Sequence, residues 1–366
     1  MQAPGQYRIL ICPLDWGLGH ATRCIPLIEE LRKNGAHVIL AADGPQLNLL
    51  RTEFPEADWI TFPGYRVRYG KKTGAGLSIL FSAPRLLYSI LKEHFSIKSL
   101  IRKYNINGLI SDNRYGLWNS KVRTVFITHQ LNIIAPPALR FAEPFLRAFT
   151  RYFAAKFDEC WIPDTKGENN LSGKLSHGYK LPGNAGYIGI LSRFSKPSDY
   201  KNENNYDIVA MVSGPEPQRT VFENRLLDQL PVKDKKCLLL RGIPGENTIT
   251  PLRQNLDIAG HLHSERLLSI LKIQPVVICR SGYSTLMDLA YTGNKALLVP
   301  TPGQTEQEYL ASHLAQKGRY FTSNQDKINL RNSITDAENS KAANPFTSTA
   351  EYPAFVSSYL NRISKS

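Results

Sequence analysis

Cysteine is scarce in this chain. The five present, Cys12, Cys24, Cys160, Cys237 and Cys279, are odd in number, form no CxxC and make no Cys/His cluster. That argues against a disulfide framework and against a zinc site, and it sets the expectation of a reduced, cytoplasmic setting. Long apolar runs are missing too: none reaches the roughly 18 residues that a spanning helix needs. The opening MQAPGQYRIL lacks the pattern of a signal peptide. Acidic residues are in short supply, with 31 Asp and Glu against 45 Lys and Arg, a formal net charge of +14. Such an imbalance favours an anionic partner, whether nucleic acid, a phospholipid surface or a phosphorylated small molecule. Nucleic acid is set aside, because no RRM, KH, helix-turn-helix or zinc signature is present and the charge is not interleaved with aromatic stacking residues. There is no heptad or solenoid repeat.

What is there is a long, well-patterned chain. Its 366 residues, 42% of them hydrophobic, exceed one comfortable core, so two domains are expected. Strand-like runs at 7–12, 36–41, 59–62, 108–111, 124–127 and 159–162 alternate with helix-like segments, among them 23–34 and 45–54. The stretch 189–205, rich in Ser, Pro, Lys and Asn, reads as a linker. The rhythm restarts with strands at 207–212, 236–240, 256–259, 276–279 and 296–299, and helices at 219–230, 265–271, 284–291 and 305–317. Residues 323–349 are polar and poorly patterned and read as a long connection before a last helix at 352–363. The class is α/β, with two doubly wound Rossmann-like domains. The expected division is an N-terminal domain over 1–190, a linker over 191–205, a second domain over 206–335, and a tail over 336–366 whose helix returns to the first domain.

In such folds ligands bind outside the carboxyl ends of the strands, and three loops there stand out. The first is LDWGLGHATR, residues 14–23. Gly17 and Gly19 free the backbone for close approach. His20 follows at a helix start, where it is neither a good cap nor a core residue and where its charged form is disfavoured. The competing reading is a tight strand-to-helix turn carrying a half-exposed histidine. The second is VVICRSGYSTLMD, residues 276–288. Arg280, Ser281 and Gly282 lead from a buried strand into a helix opening near Ser284 and Thr285. A helix N-terminus binds phosphate, and Asp288, one turn on, suits a ribose diol. Alternatively Ser284 is a plain cap and Asp288 an ordinary first-turn residue. The third is PTPGQTEQEYLASHL, where Gln304, Gln307 and Glu308 crowd a helix start. Amides and carboxylates suit the hydroxyls of a sugar, although a solvated acidic turn is the commoner meaning of Glu residues there.

These motifs in this order resemble the two-domain, inverting glycosyltransferases of the GT-B fold, notably the bacterial lipid II-forming N-acetylglucosaminyltransferases and the related galactolipid synthases. The resemblance covers nearly the whole chain, with CRSG through LLVPTPGQTEQEYLASHL the most specific patch. It implies His20 as the base on the acceptor hydroxyl, and Arg193, Ser213 with Gly214, and the Ser281–Gly282 loop around the diphosphate. Asp288 takes the place of a ribose-binding glutamate. Gln307 matches one sugar-reading glutamine, and Glu308 stands where the family has a second. THQLNI brings His129, Gln130 and Asn132 to the acceptor side, with Gln130 where the family carries Glu. Asp15 and Asp112 are the competing bases. The co-substrate implied is a nucleotide sugar, UDP-GlcNAc or another UDP-hexose, with no metal and no resident cofactor. The acceptor implied is lipid-linked or membrane-associated, in a bacterial cell envelope. A UDP-sugar 2-epimerase or hydrolase, or a non-enzymatic nucleotide-sugar- or membrane-binding module, is the alternative.

The basic charge gathers where a membrane would need it. Residues 66–103 hold nine Lys and Arg and one acidic residue, Glu93, around GLSILFSAPRLLYSILKEHF; a second such stretch is PALRFAEPFLRAFTRYFAAKF, residues 137–157. Cations beside Leu, Phe and Tyr suit an anionic bilayer surface, which places the protein peripherally on the inner face of the cytoplasmic membrane. Ordinary core helices with solvated basic faces are the competing reading.

Overall fold

The computed structural model describes residues 7–64, 75–194, 200, 205–340 and 351–364, with side chains from 84 onward in the segment that begins at 75. The chain divides into two compact units, Met1–Leu191 with Ser348–Ser366, and Ser192–Thr347. The boundary thus falls within the stretch read as a linker, most of which, 195–199 and 201–204, lies outside the described residues.

Unit 1 carries β1 (Arg8–Pro13), α1 (Gly19–Lys33), β2 (His37–Ala42), α2 (Gly44–Glu53), β3 (Asp58–Thr61), α3 (Ala75–Lys103), β4 (Gly108–Asp112), β5 (Arg123–Ile127), α4 (Glu143–Ala154), β6 (Glu159–Ile162) and β7 (Ala185–Tyr187). Its seven strands lie in the order β3-β2-β1-β4-β5-β6-β7, all parallel. Runs such as Ile9–Cys12 and Gly108–Asp112 are buried residue after residue. Helices cover both faces of a parallel sheet, so its strands are apolar throughout rather than alternating. The order reverses between β1 and β4, the position where doubly wound sheets take ligands.

Unit 2 repeats the plan with β8 (Ile208–Met211), α5 (Gln218–Gln229), β9 (Cys237–Leu240), β10 (Thr250–Arg253), β11 (Leu256–Ala259), α6 (Ser264–Leu271), β12 (Val276–Cys279), α7 (Tyr283–Thr292), β13 (Ala296–Leu298), α8 (Thr305–Gln316), β14 (Phe321–Thr322) and α9 (Leu330–Asn339). The order is β10-β11-β9-β8-β12-β13-β14, parallel except for β10 against β11. Here the reversal lies between β8 and β12. The last helix, α10 (Tyr352–Ile363), belongs to unit 1, where Tyr359 Oη donates to Arg123 O at 3.0 Å and packs edge-on against Trp161. All five cysteines are free and buried.

Three expectations need correction. Helix α1 begins at Gly19 rather than at 23, because Thr22 N donates to Leu18 O at 3.0 Å; its cap, Leu18, supplies no side-chain bond and gave no signal. The polar 323–349 segment is not all connection. It holds α9, capped by Asn329 and seated on buried Leu330, Ile334 and Ala337. The edge strands β7, β10 and β14 went unseen, since they are short and half-buried or exposed.

Candidate active site

In unit 1 the candidate residues gather at the carboxyl ends of β1, β4 and β5, three neighbouring strands. The loop after β1 turns at Gly17, whose φ of +78° is the left-handed region that glycine enters freely. Gly19 opens α1 and places His20 in its first turn. His20 Nδ1 lies 3.0 Å from Asp112 Oδ2, at the end of β4. One helical turn on, Arg23 grips the same carboxylate side-on: Nε donates to Oδ2 at 2.8 Å and Nη2 to Oδ1. Arg23 Nη2 also lies 2.8 Å from His20 Nδ1, and Arg23 Nη1 lies 2.9 Å from Nδ1 of His129, beyond β5. Arg23 is 2% exposed and Asp112 fully buried. Burial alone would push the Asp112 carboxyl up, but Arg23 and His20 outweigh it and hold the group below the usual carboxylate range.

Asp112, one of the two competing candidate bases, is therefore held by both His20 and Arg23. The other candidate base, Asp15, accepts from Gly64 N at 2.6 Å and so holds a loop. Gln130 and Asn132 follow His129 without joining the cluster. Gln130 N donates to Thr128 Oγ1 at 3.1 Å, and Asn132 Nδ2 donates to Lys174 O at 2.9 Å. The buried Asn132 Oδ1 has no hydrogen-bond partner among the described residues. Arg23 was missed in the sequence because the helix was started at that residue, which hid its i, i+3 relation to His20.

In unit 2 the candidates lie at the carboxyl ends of β8, β12 and β13, again neighbours. Ser213 and Gly214 are exposed after β8, with Gly214 at φ +108°. Helix α7 is capped by Gly282, which brings no side chain to its N-terminus, and Ser284 and Thr285 are half-buried in its first turn. Asp288 is buried and bound from the chain entering the unit: Ser192 Oγ donates to Oδ1 at 2.8 Å, and Arg193 Nε to Oδ2 at 3.0 Å. Burial pushes the Asp288 carboxyl above its ordinary range, and Arg193 and Ser192 offset this only in part. Arg193 Nη1 and Nη2 make no hydrogen bond among the described residues. Beside Arg193 stands His261, after β11, whose buried Nε2 has no hydrogen-bond partner among the described residues; burial, with the Arg193 and His263 charges, pushes this imidazole down to about 3. His261 also escaped the sequence reading, because AGHLHS carries no phosphate or sugar motif.

The third loop is braced from within. Thr301 N donates to Gln307 Oε1 at 2.9 Å, Ser281 Oγ to Gln307 O at 2.7 Å, and Gly303 N to Glu308 Oε1 at 2.8 Å. Gln304 caps α8 through its backbone alone. Arg280 must be withdrawn from the phosphate group. Its guanidinium is fully buried against Phe222 and donates to the carbonyls of Val299, Pro300 and Gln218 and to Gln325 Oε1. It ties three loops together instead. No group of three or more His, Cys, Asp or Glu among the described residues is placed to hold a metal ion.

Residues 221–361 match the glycosyltransferase family 28 C-terminal domain. The whole chain aligns in space with SnogD, a glycosyltransferase from Streptomyces nogalater (TM-score 0.60, 11% identity, 99% of this chain and 100% of that one). The GT-B fold is shown. MurG of Acinetobacter baumannii superposes over 97% of this GT-B chain and 99% of its own, with a TM-score of 0.52 and 14% identity. In sequence, the UDP-N-acetylglucosamine--N-acetylmuramyl-(pentapeptide) pyrophosphoryl-undecaprenol N-acetylglucosamine transferase of Pasteurella multocida (strain Pm70) is 21% identical over 309 residues, 82% of this chain and 79% of that protein. The chain thus has the fold of these enzymes, and its second unit carries the family 28 match. The family 28 match runs past unit 2 into α10.

Proposed function

We propose that the protein is an inverting glycosyltransferase that moves a hexose from a UDP-sugar, UDP-GlcNAc or a close relative, to a hydroxyl of a lipid-linked acceptor. The observation that carries this reading is the His20–Asp112 pair at the switch point of the first sheet. With its Nδ1 proton donated to Asp112, His20 offers Nε2 as base and leaves Asp112 to stabilise the imidazolium that forms. The acceptor oxygen loses its proton to Nε2 and bonds to the anomeric carbon. The bond from that carbon to the diphosphate oxygen breaks in the same displacement, which inverts the centre.

Unit 2 is assigned the nucleotide. Asp288 suits the ribose hydroxyls as an acceptor, and a carboxylate kept buried against its own ionisation is the kind of group found at working sites. The free Nη groups of Arg193, with the N-terminus of α7, suit the charge that develops on the departing diphosphate. The reading routes no step through a metal. The donor named by the Pasteurella relative supports UDP-GlcNAc, while Glu308 marks where sugar selection differs.

The lipid nature of the acceptor is supported by two exposed stripes on unit 1. On α3, Leu87, Tyr88, Leu91 and Phe95 are exposed beside Arg85, Lys92 and Lys98. On the turn Pro137–Ala142 and α4, Phe141 and Phe145 are 73% and 75% exposed beside Arg140. Trp118 links the two, stacking on His94 of α3 and touching Phe153 of α4. The part of the basic stretch at 66–74 lies outside the described residues, and no helix among them is long and apolar enough to cross a membrane.

The test is incubation with a panel of UDP-sugars, with and without lipid extract. UDP released only when a donor and lipid are both present is the expected result. An isomerised donor without release, release without acceptor, or binding without turnover would overturn the reading.

A further inference from the structure

Gln307, in the first turn of α8, is only 7% exposed, yet half of its amide is left unused by the fold. Its Oε1 accepts from Thr301 N at 2.9 Å, and its backbone O accepts from Ser281 Oγ at 2.7 Å. A backbone N–H only donates, so Thr301 fixes which way round the amide sits, and Nε2 is turned away from it. Nε2 makes no hydrogen bond among the described residues. It lies 4.0 Å from the point where a Cβ on Gly282 would stand. Nothing else among the described residues, beyond the chain neighbours of Gly282, comes within 4 Å of that point. Gly282 is the cap of α7 and follows β12, at the switch point between β8 and β12. A buried side chain with a fixed orientation thus aims its donors over the one residue at this helix end that brings no side chain.

We infer that Gln307 Nε2 is a ligand of the donor's diphosphate, in place of the sugar contact that the resemblance implies for this residue. Nε2 carries hydrogens and no lone pair to offer, so it matches a group that only accepts. An ionised phosphate oxygen is such a group, whereas a sugar hydroxyl would still have its own proton to place. The position agrees with the chemistry, because the N-terminus of α7 is the positive end of its dipole and attracts the same charge. Gly282 lets the backbone come close to an anion there. The brace to Thr301 sets the amide before any ligand arrives, so it need not reorient as charge grows on the departing diphosphate. With Arg280 turned inward to loop carbonyls, a neutral donor stands where a second cation was expected, and choice of the sugar falls to other residues of the loop, Glu308 among them. The ligand's identity rests on the nucleotide-sugar donor proposed above; the fixed amide does not.

The experiment is titration of the whole chain with UDP, uridine and UDP-GlcNAc. Q307E keeps an oxygen for Thr301 N but sets a second oxygen where Nε2 stood, against the diphosphate. UDP affinity is expected to fall about 10- to 100-fold, the worth of a hydrogen bond to a charged group, while uridine binds as it does to the wild type. Should Q307E fail to fold, Q307M removes the donor at similar volume, and a loss of about tenfold for UDP but not for uridine is expected. Unchanged UDP affinity in a folded variant would overturn the inference. A loss confined to UDP-GlcNAc would overturn it as well and return Gln307 to the sugar, and an equal loss for uridine would reduce Gln307 to a brace of the loop. A wild type that binds inorganic pyrophosphate but not UDP, with the pyrophosphate weakened by Q307E, would sink the donor proposed above and leave this inference standing.

Discussion

Three carboxyl and imidazole groups carry the proposed chemistry, and each makes a separate prediction. H20A removes the proposed base; transfer should slow about 10²–10⁴-fold, the usual reach of general base catalysis. Donor KM should barely change, because the nucleotide is assigned to unit 2. A comparable loss of UDP affinity would make His20 structural. D112N leaves the buried Arg23 without its countercharge and should cost about 3–5 kcal/mol at neutral pH. Asp112 is held below its ordinary range. Its contribution is therefore complete above the unfolded value near 3.9 and fades as pH falls through the lower folded value. Urea unfolding of wild type and D112N should thus converge in acid. Asp288 has the opposite sign: it is pushed up, so its ionised form weighs against folding as pH rises. D288N should cost less stability than D112N, whereas D288A should weaken UDP binding in calorimetry by about 1–3 kcal/mol, leaving ribose hydroxyls unpaired.

At the scale of elements, the joint between β4 and α10 is closely packed. A Cβ on Gly108 would come within 2.3 Å of Tyr359 Oη and 2.7 Å of Ile363 Cδ1. G108A should therefore destabilise unit 1 by about 1–3 kcal/mol, the cost of overpacking, and a chevron or equilibrium curve unchanged from wild type would show that α10 can yield. This joint also shows what a sequence can tell. The buried strands announced themselves as unbroken apolar runs, and α10 by its apolar spacing. The start of α1 did not, since Leu18 is not a capping type, and with it went the relation of His20 to Arg23. Strand β10, TPLR, is exposed at all four residues and contains a proline, so nothing but its partner β11 defines it. Arg280 looked like a phosphate ligand because it stands beside Ser281 and Gly282. Only the fold reveals that its guanidinium turns inward to the carbonyls of Val299, Pro300 and Gln218.

For the molecule as a whole, the net charge of +14 and the exposed aromatic stripes act together. Binding to vesicles rich in anionic lipid should fall steeply as salt rises, since exposed charges are screened over about 8 Å at physiological ionic strength. The apolar stripes should leave a salt-resistant remainder that F141S with F145S removes. Cosedimentation indifferent to lipid charge would reduce the basic faces to solvated surface.

The return of α10 to unit 1 has a consequence for biosynthesis. Unit 1 begins to leave the ribosome before unit 2 and is finished after it, because every residue of unit 2 is made before the closing helix of unit 1. At roughly 5–20 residues per second, the groove beside Gly108 waits on the order of ten seconds for Tyr359. Through that interval the nascent first sheet shows an uncovered apolar face while its neighbour is still being made, which is the window in which a chaperone would be needed.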